Sequence, residues 1–239
     1  MSHELRNKIL KELIHHQKRS FNELWNKEGE SNKFAYHLKS MEKDGLIEKK
    51  NERYYLSSEG KKVAIFLDGE TGTRPQYPLV AMIIAVFKDE KILTQKRLKE
   101  PFYGYSGLIG GKLTFGEELL ECAARELKEE TSLTVDLEIA GIVNFHTYND
   151  NEKTYHHIMF VVRGTNPKGK LKKNIREGEN SWVTKEEFLT KKIFPNIPYF
   201  LKWVKDGRFF VAEMDRFQKN HEFKDIKLKN ITWYGPKNL

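Results

Sequence analysis

The spacing of apolar residues changes character near residue 68. Before it, Leu5, Ile9, Leu13 and Ile14 recur at helical intervals and predict an amphipathic helix over residues 4–16. A second helix starts at Ser20. Ser20 and Glu23 have the spacing of a capping box, in which each side chain accepts a hydrogen bond from an otherwise orphaned backbone N–H. Phe21, Leu24 and Trp25 form its inward face. After a polar turn at residues 28–32, Phe34, Leu38 and Met41 repeat at i, i+4 and i+7. They predict a third helix over residues 32–43, closed by Gly45. Residues 46–49 and 53–56 read as two short strands, and residues 57–67 begin a further helix.

Residues 68–78, DGETGTRPQYP, hold two glycines and two prolines with no apolar period, and read as a linker. Beyond it, strands surround one strongly helical segment. Residues 79–87 and 91–96 predict a hairpin around Lys88-Asp89-Glu90, and residues 135–145 and 155–162 are β-branched or alternating. Ser181-Trp182-Val183 reads as a strand leading into a helix over residues 185–191, and residues 198–205 as another helix. The tail to residue 239 carries a weaker pattern.

At 239 residues the chain has room for one or two domains. Its longest apolar run, Leu79–Phe87, is about half the roughly 18 residues that span a bilayer. MSHELRNKIL lacks the uninterrupted hydrophobic core of an export signal, and the single Cys122 excludes an internal disulfide framework or a multi-cysteine zinc site. The expected location is the cytoplasm, without membrane contact. A net charge of +8 suits polyanions such as nucleic acid or phosphate-rich ligands, and suits equally a solvated lysine-rich surface.

The chemistry concentrates in GGKLTFGEELLECAARELKEETSL, residues 110–133. Glu126, Glu129 and Glu130 stand at i, i+3 and i+4, and so share one helix face. Three like charges there oppose helix formation, and a bound cation would turn the repulsion into a ligand set; Mg²⁺ favours such hard oxygen donors. Leu119, Leu120, Ala123, Ala124 and Leu127 are assigned to the packed face, with Cys122 as a small packed side chain. Arg125 lies four residues from both Glu121 and Glu129 and can orient a ligand carboxylate. Gly110, Gly111 and Gly116 make a loop whose backbone can approach metal and phosphate oxygens, and Gly110, Gly111 and Lys112 are the expected substrate contacts. The glutamates alone would also fit a solvated acidic helix after a glycine turn.

The whole stretch resembles the Nudix box: Gly, five residues, Glu, seven residues, Arg-Glu, an aliphatic, one residue, Glu-Glu, one residue, Gly, an aliphatic. Here these are Gly111, Glu117, Arg125-Glu126, Leu127, Glu129-Glu130, Ser132 and Leu133. The resemblance covers about residues 76–215. It implies an α/β fold, an α/β/α sandwich with a mixed sheet. It implies metal binding by Glu126, Glu129, Glu130 and the Gly111 carbonyl, with Mg²⁺ or Mn²⁺ as cofactor. Glu117 and Arg125 would brace the loop and helix, and the catalytic set would be Glu129, Glu126, Arg125 and Glu117. The implied reaction is attack of water on a pyrophosphate linkage. The base would be Glu129 or a glutamate from a distant loop, for which Glu177 and Glu179 are candidates; both also fit solvated loop charges. Ser132 stands where the family has glycine, in a left-handed position where serine costs about 1 kcal/mol, and weakened or normal activity is expected. Ile109 stands where many relatives have proline.

Residues 1–67 resemble a winged helix-turn-helix. Phe34-Ala35-Tyr36-His37-Leu38 through Asp44-Gly45-Leu46-Ile47 looks like a recognition helix running into a wing, and Tyr55-Leu56-Ser57-Ser58-Glu59-Gly60 like the segment after it. With Phe34, Leu38 and Met41 inward, Lys33, Tyr36, His37, Lys39, Ser40 and Lys43 are expected outside, facing double-stranded DNA. Such modules also dock proteins or dimerise. The expected organisation is a winged helix over 1–67, a linker over 68–78 and a Nudix domain over 79–239. Together they resemble Nudix-related transcriptional regulators, which usually act as dimers.

The chain is therefore expected to hydrolyse a nucleotide-derived small molecule: ADP-ribose, a nucleotide sugar or a nucleoside triphosphate. The alternative is a regulator whose Nudix domain senses such a nucleotide with little turnover; an RNA-processing hydrolase is a third reading. Phe102, Tyr103, Tyr105, Phe145, Tyr148 and Tyr155 are candidates for stacking on a base, or for the core. His156 and His157, adjacent on a strand, should point to opposite faces, one packed and one exposed.

Overall fold

The computed structural model describes residues 2–236. The chain divides into two compact units, residues 1–77 and 78–239.

The first unit holds α1 (Ser2–His15), β1 (Arg19–Ser20), α2 (Phe21–Trp25), α3 (Ser31–Lys43), β2 (Ile47–Lys50), β3 (Arg53–Leu56) and α4 (Ser58–Ala64), of which the short β1 is not among the predicted elements. The capping box forms: Ser20 N–H donates to the Glu23 carboxylate at 2.7 Å, and Glu23 N–H donates to Ser20 Oγ at 3.4 Å. The three strands pair in the order β1-β3-β2. Ile9, Leu13, Leu24, Phe34, Leu38 and Met41 are buried together against Ile47 and Tyr54.

On α3, Lys33, Tyr36, Lys39 and Lys43 are exposed and Ser40 is half-buried. His37 departs from expectation: it is buried, at 7% exposure. The reason is helical spacing. Residue 37 lies three after Phe34 and four before Met41, so it shares their inward face.

The second unit holds β4 (Leu79–Lys88), β5 (Lys91–Arg97), β6 (Ser106–Gly107), β7 (Ile109–Lys112), α5 (Leu119–Thr131), β8 (Thr134–Asn149) and β9 (Glu152–Lys168). There follow β10 (Asn174–Ile175), β11 (Gly178–Thr184), α6 (Lys185–Leu189), α7 (Ile197–Asp206), β12 (Phe209–Lys219) and β13 (Glu222–Tyr234). A mixed row runs β7-β4-β9-β8-β12-β13, and an antiparallel row runs β10-β11-β5-β6. The expected hairpin between β4 and β5 forms only at its turn, through Phe87–Ile92 and Lys88–Lys91. The two strands then part, one into each row.

The mixed row is covered on both faces. Met82, Ile84, Val86 and Val162 pack against Cys122, Ala123 and Leu127 of α5. Ala85, Val143, Phe145 and Val161 pack against Phe200, Leu201 and Val204 of α7. Alternate residues of each strand therefore serve opposite layers.

The β12–β13 hairpin was not anticipated. β12 runs parallel to β8 and β13 closes back on it, carrying the mixed row two strands further. The turn residues Asn220 and His221 have φ of 50° and 63°, and Asp150 and Asn151 between β8 and β9 have 49° and 72°. Positive φ at both central positions suits tight hairpin turns, where Asn and Asp are favoured. Among the described residues, no helix is long and apolar enough to cross a membrane.

Candidate active site

The site is built on β7, the loop after it and α5. Cys122, Ala123, Leu127 and Thr131 anchor α5 in the core. Leu120 and Ala124, expected on the packed face, are exposed instead. Half-buried Leu119 and buried positions 122, 123 and 127 follow i, i+3, i+4 and i+8, and 120 and 124 fall off that stripe. Cys122 is packed as expected; burial pushes its thiol up to about 11, and its Sγ lies 3.4 Å from the Lys112 carbonyl.

Arg125 joins loop to helix. Its Nε and Nη2 donate to the two oxygens of Glu117 at 2.7 and 3.0 Å, a bidentate pair. Thr114 donates to Glu117 from its backbone and its hydroxyl, at 3.2 and 2.8 Å. The guanidinium, with Thr114, holds the Glu117 carboxyl down at about 2. Arg125 Nη1 also lies 3.0 Å from Glu126 and 3.5 Å from Glu129.

Glu126 lies against the Gly111 backbone. A Cβ at position 111 would sit 1.9 Å from the Glu126 carboxyl carbon, so any side chain there would displace the carboxylate. Glu130 is half-buried, and Gln95 Nε2 donates to it at 2.9 Å. Burial, opposed by Gln95 and reinforced by the Glu126 charge, raises the Glu130 carboxyl above the usual range. Glu129 is 62% exposed. Among the described residues, no three His, Cys, Asp or Glu side chains stand close enough together to form a metal cluster. Glu126 and Glu129 are drawn to Arg125 and Glu130 to Gln95. The donor chemistry still suits a divalent cation: Glu126 and Glu130, which repel each other, and Glu129 lie within one turn of helix, with Glu126 against the Gly111 backbone. Arg125 partly neutralises them here.

Three residues not singled out in the sequence border the glutamates. Gln95, Arg97 and Lys99 alternate along and beyond β5, so a period of two places them on one face. Lys99 lies within the electrostatic reach of Glu126, Glu130 and Lys112, and burial lowers its ammonium below its ordinary value. It pairs with Glu177, bringing that glutamate toward the site. Glu179 faces the other way, 3.9 Å from Lys96. Gly110 pairs with Ile83 and Lys112 with Ala81 across β4, and the Lys112 side chain is exposed.

The histidines are only half as expected. His156 and His157 occupy opposite faces but both are half-buried. His156 lies 2.8 Å from Asn144 Oδ1 and contacts His146, which lies 3.3 Å from Asp215. His157 Nδ1 is buried with no hydrogen-bond partner. Phe145 is core, Tyr148 stacks on Phe217, Phe102 and Tyr105 gather around Phe223 and Phe194, and Tyr155 meets the edge of Phe102.

Comparison with known proteins agrees with this architecture. Residues 1–67 match a domain of unknown function, DUF7347. An ADP-ribose pyrophosphatase of Methanocaldococcus jannaschii is 35% identical over 85 residues, 36% of this chain and 49% of the relative. The match thus spans about half the length of that relative. The MutT mutator protein of Bacillus halodurans aligns with a TM-score of 0.54 at 23% identity, over 63% of this chain and 97% of that one, a likeness of fold. The Nudix domain of Shewanella oneidensis NrtR, solved with ADP-ribose, aligns with a TM-score of 0.49 at 17% identity, over 63% of this chain and 98% of that one. Residues 76–204, more than half of the chain, match the NUDIX domain. With the loop, helix and sheet arranged as described, the chain belongs to the Nudix family.

Proposed function

We propose that the chain is an Mg²⁺-dependent hydrolase that cleaves the pyrophosphate linkage of a nucleoside diphosphate joined to another moiety. ADP-ribose, a nucleotide sugar and a nucleoside triphosphate are the substrates in view, and the likeness to an ADP-ribose pyrophosphatase favours the first. The observation that carries the reading is Glu126 seated against the Gly111 backbone beside half-buried Glu130, under Arg97 and Lys99.

Glu126, Glu129, Glu130 and the Gly111 carbonyl are the donors for a divalent cation, which when bound would offset phosphate charge and acidify a water. Lys99, Lys112 and Arg97 attract the diphosphate and stabilise charge developing on its oxygens. Arg125 and Glu117 fix the loop against α5, so the donors keep their places. Glu129, exposed, and Glu177, drawn in by Lys99, are the carboxylates available to take a proton from the attacking water.

A panel of nucleotide sugars, ADP-ribose, dinucleotides and triphosphates, assayed with Mg²⁺ and Mn²⁺, tests the reading. Glu129→Gln should lower the rate of pyrophosphate-linkage cleavage, read as nucleoside monophosphate formed, at least about a hundredfold. Unchanged turnover would refute the assignment.

The domain reading is likewise ours: a winged helix-turn-helix over residues 1–67, a linker over 68–78 and the hydrolase over 79–239. The exposed set Lys33, Tyr36, Lys39 and Lys43 on one side of α3 supports contact with double-stranded DNA. In that arrangement the chain acts as a dimeric regulator responding to the nucleotide it binds, with turnover retained or small.

A further inference from the structure

We propose that the cavity between residues 100–105 and the tip of the β12–β13 hairpin seats the nucleobase of the substrate. The hairpin, which lies outside the stretch matching the NUDIX domain, then becomes a specificity element. The inference rests on the reading of β7 and α5 as a hydrolytic site.

The cavity has a volume of about 590 Å³. Ligand pockets run from roughly 300 to 1,000 Å³, so it can hold a nucleoside. Phe102, Tyr103, Tyr105 and Tyr155 supply aromatic walls, and Asn220 and His221 of the hairpin turn supply the far side. Loop and hairpin are locked to each other. Phe223 N–H donates to the Tyr105 hydroxyl at 3.3 Å, and Phe102 stacks on Phe223 at 5.2 Å and 28°. The Arg216 guanidinium lies 4.9 Å from the Phe223 ring. Tyr105 is buried and Tyr103 is 58% exposed, which leaves Tyr103 a free ring face.

A short turn of chain links the glutamate face to the cavity lining. Lys99, under the influence of Glu126 and Glu130, is followed directly by Glu100 and Pro101, which line the cavity. Arg97 Nε donates to the carbonyls of Lys99 and Pro101, at 3.1 and 2.7 Å, and the same guanidinium interacts with Glu130. One arginine thus ties the turn to the glutamate face.

Charge separates the two ends. On the glutamate side Arg97, Lys99 and Lys112 attract phosphate. The cavity rim carries two carboxylates, Glu100 and Glu222, and Glu222 engages both Lys192 and Lys224, the latter at 3.4 Å. The Lys192 ammonium is engaged 3.3 Å from Glu222 and lies 4.5 Å from the Tyr105 ring centre. With both lysines engaged by Glu222, the rim suits a neutral planar ring bearing amino N–H groups, laid against aromatic faces, better than a phosphate.

The test uses the full chain and two Mg²⁺-dependent substrates: ADP-ribose, and 5-phosphoribosyl 1-diphosphate, which keeps a sugar and a pyrophosphate but lacks a base. Tyr103→Ala should raise KM for ADP-ribose about tenfold, as expected for a lost stacking contact, with kcat within about twofold. KM for the base-free substrate should not move, and Tyr103→Phe should restore the wild-type KM. An unchanged KM, or an equal rise for both substrates, overturns the proposal. The hydrolytic reading stands or falls on the full nucleotide panel; if the wild type leaves either of these two substrates uncut, calorimetric titration with AMP decides the cavity alone. About tenfold weaker AMP binding by Tyr103→Ala upholds it. Equal binding, or none by the wild type, overturns it.

Discussion

His157 shows how a single residue responds to the layer it faces. Burial, with the Arg216 charge adding to it, pushes its imidazole from 6.5 down to about 4. The folded protein therefore refuses a proton that the unfolded chain accepts. Stability from this source is complete above about pH 6.5 and is lost as pH falls toward 4, by on the order of 1–2 kcal/mol after allowance for partial exposure. His157→Gln should flatten that part of the profile of thermal midpoint against pH, and identical slopes for the two proteins would contradict the account. Neither this burial nor that of His37 is evident from the residue type. His37 stands between the apolar anchors Phe34 and Met41 on the inward face of α3, so helical position outweighs its polarity. Glu117 and Arg125 are different: spacing alone offers Arg125 to Glu121 and Glu129, the resemblance implies a brace with Glu117, and in the structure the two form a bidentate pair.

Among the elements, α5 was the most legible. Its stripe, its acidic face and its end all sit within one continuous segment. The last of these carries a departure from the family pattern. Ser132 adopts φ 64° and ψ 10°, the left-handed conformation that glycine takes without strain. Ser132→Gly should raise the stability of the chain by about 0.5–1 kcal/mol, read as a higher urea midpoint at constant slope. A lower midpoint would show that the Ser132 side chain contributes more than its backbone strain costs. The strand β5 was legible as a strand but not as part of the site. Gln95, Arg97 and Lys99 earn no attention by composition, and only the sheet brings them to Glu130. The β12–β13 hairpin was missed for a related reason. Ile226, Leu228, Ile231 and Trp233 do recur among lysines, but a strand that is exposed along much of its length leaves a weak alternation.

For the whole molecule, the two units carry separable expectations. If α3 meets DNA, Lys39→Glu combined with Lys43→Glu should abolish duplex binding at low salt. The wild type should lose affinity steeply as salt rises, because each phosphate contact releases condensed counterions. Hydrolysis should be untouched by the pair. A wild type that ignores duplex DNA at low ionic strength would rule out the regulator reading and leave the hydrolase reading in place.

The parallel pairing of β12 with β8 also bears on how the chain is made. His146 and Asp215, partners across these strands, are 69 residues apart. During synthesis at roughly 5–20 residues per second, the flank of β8 waits several seconds for its neighbour to leave the ribosome. In that interval Val143 and Phe145 lack their cover from Ala212 and Met214, and an unpaired strand edge faces the cell. Shortening the chain at residue 204, where the domain match stops, would make that temporary vulnerability permanent.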